Sequence, residues 1–304
     1  MPPRPSILST AVLMVIVGAL AAGATAYGAP GAGTPQPWTT HAAQQAPVTQ
    51  AETPPIQPAA TFDGLDARTR LATAAAAKDG ATISVAMLDR ATHRRVFNGN
   101  NQGMPIASVA KLFIADDLLR RAATGRAHIS PEGRKALGAM LRSSDDNAAH
   151  GFWDRGGRSA IITRVAKRYG LTATYPPGND RWWNTVSTAT DLIRYYDMLL
   201  NGSGGLPPEQ ANVILNNLAQ STPTGIDGYP QQFGIPEGLY AEPVAVKQGW
   251  MCCIGADWMH LSTGVIGPER RYIMVVGSMQ PGNDATARAT ITQAVKSMFP
   301  DGHI

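Results

Sequence analysis

The sequence predicts a mixed α/β fold of the α+β kind, with an antiparallel sheet built from both ends of the folded region and a mostly helical lobe between them. Three observations predict it. Strand-like alternation occurs at residues 82–97 and again between residues 244 and 279. Helical patterns fill the interval and both flanks, and a hydrophobic fraction of 44% is enough for a packed core. A cleft is expected where the sheet meets the helical lobe.

The N-terminal region is expected to lie outside this fold. Residues 1–26 combine Arg4 with an apolar run and an Ala-X-Ala-like end, which is typical of a signal peptide. The run is nearly long enough to span a bilayer, so an uncleaved N-terminal anchor, and with it membrane association, is the alternative. No cysteine lies near its end, which argues against a lipid anchor. Residues 27–60, rich in Pro, Ala and Gly, are expected to be a flexible linker, and residues 61–304 are expected to form the folded domain.

Within the domain, a first helix is predicted at Leu65–Lys78, followed by a hairpin of residues 82–89 and 95–97. The further predicted helices are 108–123, 131–141, 158–169, 188–200 and 208–219. Three more strands are predicted at 244–251, 256–263 and 272–279, before a closing helix at 284–299.

Composition excludes several functional classes. The formal net charge of +4 comes from scattered arginines without a basic cluster, so nucleic acid is not an expected partner. The six histidines form no metal-binding pattern with the cysteines, so neither a metal nor another cofactor is expected. We expect an exported monomer, located in the periplasm, in the cell wall or outside the cell.

The two cysteines are adjacent, and they therefore cannot link distant parts of the chain. Three interpretations of Cys252 and Cys253 compete. The preferred interpretation is that they are two small buried residues on or after a strand. A vicinal disulfide in an oxidising compartment is the second, and a reactive thiol is the third.

Ser108 and Lys111 open a predicted amphipathic helix and are three residues apart, which places them on the same face. An amine one turn from a hydroxyl can accept its proton if burial or a neighbouring cation lowers the pKa of the lysine. Alternatively, Ser108 is an ordinary N-cap and Lys111 an ordinary surface residue. The chain contains only six lysines against twenty arginines, and two further motifs follow in order.

The second motif begins with Ser144 and continues through Asp145, Asp146 and Asn147 between two predicted helices. A set of N-capping residues is the alternative interpretation.

The third motif consists of Lys247, Gln248 and Gly249 on a predicted strand. A surface lysine followed by a bulge glycine is the alternative there.

Together the three motifs resemble the Ser-X-X-Lys, Ser-Asp-Asn and Lys-Thr-Gly signature of the serine β-lactamases and penicillin-binding proteins. Residues 235–239 and the C-terminal hairpin and helix add a resemblance to the class A β-lactamase branch, and the likeness covers roughly residues 62–300. It implies a β-lactamase/transpeptidase-like fold. It also implies a small-molecule β-lactam or a peptidoglycan stem peptide as the substrate.

The resemblance also implies roles for individual residues. Ser108 would be the nucleophile, Lys111 its base, and Ser144 the relay of a proton to the leaving nitrogen. Lys247 would bind the substrate carboxylate, while Gly249 would leave room for substrate along the strand edge.

The backbone N–H groups of Ser108 and Trp250 would form the oxyanion hole in the same family pattern.

Two motifs depart from the family pattern. Without a gap, Asp146 occupies the position of the substrate-binding Asn, and a slip of one residue would let Asn147 take that role. Gln248 replaces Thr, and Trp250 follows where class A enzymes have a small residue, so both are expected to shape the substrate pocket. Trp250 would either stack on a ligand or obstruct it.

No Glu occurs between Gly133 and Pro208, although the class A pattern has its water-activating carboxylate in that span. The loop of residues 175–184 contains one acid, Asp180, which we interpret as a loop anchor, and we expect Trp182 and Trp183 to be packing residues. Deacylation should then be slow. Three hypotheses remain: a serine hydrolase acting on acyl-D-Ala-like ends or weakly on β-lactams, a covalently trapped penicillin binder, and a non-catalytic wall protein.

Overall fold

The computed structural model describes residues 62–304. The predicted signal peptide or anchor at 1–26 and the predicted linker at 27–60 lie outside the described residues. No helix within residues 62–304 is both long and apolar enough to cross a membrane.

Between residues 62 and 304, seven strands form two sheets. They are β1 (Thr82–Asp89), β2 (Arg95–Phe97), β3 (Met104–Pro105), β4 (Val186–Ser187), β5 (Val244–Ile254), β6 (Asp257–Ile266) and β7 (Tyr272–Pro281). The main sheet has the order β2-β1-β7-β6-β5, and all its pairs are antiparallel. β3 and β4 pair separately. The N-terminal β1 therefore lies beside the C-terminal β7, which confirms the prediction that both chain ends build one sheet.

Nine helices surround the sheet within the described residues. They are α1 (Leu65–Lys78), α2 (Ala110–Ala123), α3 (Pro131–Arg142), α4 (Asp146–Gly156), α5 (Ser159–Tyr169), α6 (Ala189–Asn201), α7 (Pro208–Leu218), α8 (Ile235–Gly238) and α9 (Asp284–Met298). α1 and α9 pack against each other, and both contact the sheet. The helices α2 to α7 form the predicted helical lobe, whose apolar faces give the helical spacing seen in the sequence.

The buried residues form two apolar clusters, one on each side of the sheet. The larger includes Phe113 and Tyr195 and joins the sheet to the helical lobe. The smaller includes Phe62 and Val276 and lies beneath α1 and α9. A sheet buried on both faces explains why β7 is apolar almost throughout its length.

The prediction for the cysteines was wrong in its preferred form. Cys252 and Cys253 are exposed, and their sulfurs are joined in a vicinal disulfide, which was the second interpretation. They fall in a bulge where the register of β5 on β6 shifts between Met251 and Ile254. Because the extra residue of a bulge breaks the regular alternation, a periodic pattern does not indicate which way these side chains point.

Candidate active site

Ser108 lies in a short 3-10 turn (Ala107–Val109) that leads directly into α2. The prediction started the helix at Ser108, whereas regular α-helix begins two residues later. Ala107 has a φ of +43°, a conformation that L residues rarely adopt, and Ile106 N–H donates to the carbonyl of Thr185 at 2.9 Å. The sharp turn holds the half-buried Ser108 hydroxyl at the start of the helix.

Lys111 lies at the centre of a polar cluster that it forms with Ser108, Ser144 and Asp146. Its side chain is fully buried, and its Nζ lies 2.9 Å from Ser108 Oγ. The same Nζ lies 2.6 Å from the carbonyl oxygen of Ser144, 2.9 Å from Ser144 Oγ and 2.5 Å from Asp146 Oδ1. The ring of Trp182 is centred 4.8 Å from this nitrogen. Burial lowers the pKa of Lys111, and the Asp146 carboxylate partly opposes that shift.

Ser144 connects the two lysines predicted from the motifs. It lies between the end of α3 and the start of α4 with a φ of +55°. Its Oγ is 2.9 Å from Lys111 Nζ and 3.0 Å from Lys247 Nζ. Asp145, the next residue, caps α4 by accepting from Ala148 N–H at 3.1 Å. The capping interpretation therefore applies to Asp145, while Ser144 belongs to the cluster.

Lys247 reaches the cluster from the edge strand β5. Its side chain is 1% exposed, and its Nζ also donates to the carbonyl of Gln248 at 3.1 Å. Burial and the nearby charge of Lys111 hold the pKa of Lys247 well below its usual value. Thr263 Oγ1 donates to the Lys247 carbonyl at 3.0 Å and contacts the Tyr196 hydroxyl at 2.9 Å, which fixes this part of the strand.

Gly249 allows β5 to approach the nucleophile. A Cβ at this position would lie 2.6 Å from the carbonyl oxygen of Ile106 and 3.3 Å from a methyl of Val109. Any larger residue would push the strand away from Ser108. The close approach explains the glycine on physical grounds, independently of the motif.

Gln248 and Trp250 are placed differently from the expectation that they shape the substrate pocket. Alternation along β5 turns both side chains away from the face that carries Gly249. The Gln248 amide is buried and donates to the carbonyls of Gln231 at 3.0 Å and Phe233 at 2.6 Å.

The indole of Trp250 stacks on the ring of Tyr229, with centroids 3.8 Å apart and planes 11° from parallel. A second indole, that of Trp258, lies alongside with its centroid 6.3 Å away. Trp250 therefore stacks on aromatic rings of the protein itself, and its role toward a ligand stays a prediction.

The structure distinguishes the two candidates for the Asn position. Asp146 is the first residue of α4, and its carboxylate contacts Lys111. Asn147 is exposed one residue further along the helix. The gap-free alignment of the motif is therefore the one that brings a side chain to the lysine.

The predicted loop acid does not reach the cluster. Asp180 accepts hydrogen bonds from Ser159 Oγ at 3.0 Å and from Arg158 Nη1 at 2.9 Å, and these contacts keep its pKa low despite the opposing effect of desolvation. It anchors its loop, as the sequence interpretation held. Trp182 is 2% exposed and Trp183 packs against the core, so both tryptophans occupy packing positions.

Sequence reasoning missed the loop of residues 219–234. The side-chain amide of Gln231 in this loop donates to the backbone carbonyls of Arg142 and Thr222, both at 2.9 Å. The backbone carbonyl of Gln231 accepts a hydrogen bond from the Gln248 side chain. Gln231 thus ties the end of α3 to β5 and sets the distance between the second and third motifs. A single buried Gln in a polar loop has no distinguishing pattern in the sequence.

Asp227 was also missed, because nothing in the sequence relates it to the motifs. It is exposed on the same loop, and its charge raises the pKa of both Lys111 and Lys247 against the effect of burial. Within residues 62–304, no group of three or more His, Cys, Asp or Glu side chains is placed to hold a metal ion.

The chain was compared with family profiles, with the sequences of known proteins and with solved structures. A profile of the "Beta-lactamase enzyme family" matches residues 131–299, which is more than half of the chain. A protein of Mycobacterium tuberculosis and one of Mycobacterium bovis, both named "Putative lipoprotein LppW", are each 67% identical over 259 residues. These residues cover 84% of this chain and 82% of each relative.

Solved structures agree on the fold. The TLA-3 extended-spectrum β-lactamase is 13% identical with a TM-score of 0.64, and the match covers 78% of this chain and 98% of that one. A β-lactamase from Chitinophaga pinensis is 14% identical with a TM-score of 0.62, covering 79% and 98%. The predicted β-lactamase-like fold is therefore confirmed. The chain belongs to the beta-lactamase enzyme family.

Proposed function

We propose that the protein is an exported acyl enzyme with Ser108 as its nucleophile, acting weakly on β-lactams or on acyl-D-Ala amides like those of peptidoglycan. The observation that carries the proposal is the continuous contact from Ser108 Oγ through Lys111 Nζ and Ser144 Oγ to Lys247 Nζ, with distances of 2.9, 2.9 and 3.0 Å. Family and fold support a hydrolase of the serine type.

The contacts support a complete acylation step. Ser108 Oγ attacks the carbonyl carbon while its proton passes to the unprotonated fraction of Lys111, which burial enlarges. As the carbon–nitrogen bond breaks, the Ser144 hydroxyl gives its proton to the leaving nitrogen and recovers one from Lys111. The products are an ester on Ser108 and an amine, which leaves when the substrate is an acyl-D-Ala amide and stays attached to the acyl group when the substrate is a β-lactam.

Deacylation lacks a visible base in the described residues. Asp180 is engaged by Ser159 and Arg158, and Asp146 is engaged by Lys111. A general base usually contributes about 10²- to 10⁴-fold to such a step. These engagements favour a second candidate function, a protein that binds penicillins covalently and releases them slowly.

Export is part of the proposal. The N-terminal apolar run and the word lipoprotein in the relatives' name both support it. Because the two cysteines of the sequence both lie in β5, we propose that any attachment to the membrane uses the apolar segment before residue 26 rather than a lipid-bearing cysteine. A monomer remains our expectation.

The test is intact-protein mass spectrometry after incubation with benzylpenicillin. The wild-type protein should gain the mass of one opened penicillin, and Ser108→Ala should gain none. Ser203→Ala is the matched control, since this exposed serine lies in the loop after α6. A wild-type protein that stays unmodified after long incubation contradicts the proposal and leaves a non-catalytic wall protein.

The time course of the same adduct separates the remaining candidates. Persistence over hours indicates the trapped binder. Loss of the adduct together with steady hydrolysis of a chromogenic β-lactam indicates a hydrolase, and rapid multiple turnover would contradict the slow deacylation that we expect.

A further inference from the structure

Asp146 places a carboxylate beside the reacting groups. One of its oxygens lies 2.5 Å from Lys111 Nζ, while 60% of the side chain remains exposed. An ionised carboxylate accepts hydrogen bonds and cannot donate them. A ligand carbonyl next to Lys111 therefore finds no donor in this side chain, whereas a ligand N–H or ammonium group finds an acceptor.

A second carboxylate, that of Asp227, belongs to a loop that is held beside the second motif, because Ile226 N–H donates to the carbonyl of Ser143 at 2.7 Å. The charges of Asp146 and Asp227 both raise the pKa of Lys247, against the dominant lowering by burial. Both carboxylates are exposed, whereas Lys111 and Lys247 are at most 1% exposed. Negative charge thus lies nearer the solvent and positive charge lies deeper. An approaching ligand meets the carboxylates first.

This layering predicts a charge preference in the ligand. The Asp146 carboxylate contacts Lys111 through one oxygen, and because 60% of its side chain is exposed it can also accept a hydrogen bond from a ligand. Asp146 occupies the motif position of the substrate-binding Asn and contacts Lys111 next to Ser108, so a cationic group on the acyl side of a ligand would lie beside Asp146 while the reacting carbonyl lies at Ser108. An anionic group of a ligand at the same place would be repelled by the carboxylate.

We propose that Asp146, assisted by Asp227, is a specificity-determining residue that selects acyl donors carrying an ammonium group on the acyl side chain. The inference rests on the proposed function, because it concerns the substrate of the same site. It differs from a role in which Asp146 acts on Lys111 alone, since that role would change the reactivity of Ser108 equally toward every acyl donor.

The experiment compares two reagents that differ by one ammonium group: benzylpenicillin and its α-amino derivative, aminobenzylpenicillin. The rate constant for adduct formation on Ser108 is measured with each reagent by intact-protein mass spectrometry, at a pH where the amine is protonated. The ratio of the two rate constants is the readout. Any change in Lys111 cancels in the ratio, because it affects both reagents.

The wild-type protein should react faster with the amino derivative. Asp146→Asn should lower the ratio by about fivefold, and Asp227→Asn by a smaller factor, as expected for solvent-exposed charge pairs. Asp154→Asn removes a carboxylate from the same helix at a position that contacts Arg158 instead, and it should leave the ratio unchanged. If Asp146→Asn fails to fold, the Asp227→Asn ratio decides alone.

The outcomes separate the two proposals. Adducts that form with both reagents at a ratio unaffected by either substitution overturn the charge preference and leave the acyl-enzyme proposal standing. Absence of any adduct on the wild-type protein overturns both. A ratio that falls equally in Asp154→Asn also overturns the inference, because the effect would then come from net charge rather than from the site.

Discussion

Substituting Asp146 by Asn should move the pH dependence of acylation to lower pH. Ser108 is activated by the unprotonated form of Lys111, and the Asp146 carboxylate stabilises the protonated form. Asn keeps the size of the side chain and a hydrogen-bond acceptor but removes the charge. The pKa of Lys111 should therefore fall further, and more of the amine should be available as a base near neutral pH.

The magnitude follows from the geometry of the pair. With 2.5 Å between Nζ and Oδ1, the attraction is about 1.7 kcal/mol in bulk water and about 7 kcal/mol at an effective dielectric constant near 20. Since the Asp146 side chain is 60% exposed, solvent screening favours the lower figure. Because about 1.4 kcal/mol corresponds to a factor of ten in an equilibrium constant, we expect the unprotonated fraction of Lys111 to rise about tenfold.

The assay is the rate of adduct formation with benzylpenicillin, measured from pH 5.5 to 9 by mass spectrometry at a fixed reagent concentration. Below the midpoint of the rising limb of the rate–pH profile, Asp146→Asn should react about tenfold faster than the wild-type protein, because more of Lys111 is unprotonated. Asp154→Asn serves as the control for a lost carboxylate on the same helix. A limb that stays in place, or moves to higher pH, refutes the assigned effect of Asp146 on Lys111.

Three further predictions concern the framework of the site. Gly249→Ala should lose about 1–3 kcal/mol of unfolding free energy in urea titrations and most of its acylation rate, because the new methyl would press on a backbone carbonyl of the nucleophile segment. Gly178→Ala, which meets no atom within 4 Å, should change neither quantity. Burial lowers the pKa of His260 to about 4, so in the window between that value and the unfolded pKa near 6.5 only the unfolded chain binds the proton. The free energy of unfolding should be highest above that window and should decrease, as the pH is lowered through it, by up to about 1.4 kcal/mol per pH unit. In unfolding titrations at pH 7, 6 and 5, His260→Gln should remove this part of the pH dependence. Asp116→Ala should destabilise the helical lobe by about 3–5 kcal/mol in the same assay, because it leaves Arg168 without its buried partner; a loss below 1 kcal/mol would contradict this.

Much of the fold was predictable because its signals are local. Helical spacing gave α1 with the correct ends, and alternation gave β1 and most of β5, β6 and β7. The ends of the last strands ran further than predicted, since pairing with a neighbour continues beyond the alternating residues. The short α8 has no pattern of its own, and its four residues are placed by tertiary contacts with α9 and β5.

For the candidate site, too, the sequence predicted the local relations and the tertiary structure decided the rest. The separation of Ser108 and Lys111 by one helical turn is a local property, so the sequence by itself determined that the two could meet. The order of the three motifs likewise identified Ser144 and Lys247 as candidates. The tertiary structure decided that Ser144 Oγ lies between the two lysine nitrogens.

The tertiary structure alone also decided which neighbouring side chain serves the site. Asp146 rather than Asn147 contacts Lys111, because the capped start of α4 fixes the rotation of that helix. Gln248 and Trp250 turn away from Ser108, because the register of β5 on β6 fixes which face of the edge strand meets the helical lobe. Motif spacing records which residues are near one another along the chain, whereas the direction of a side chain depends on packing between segments that are distant in sequence.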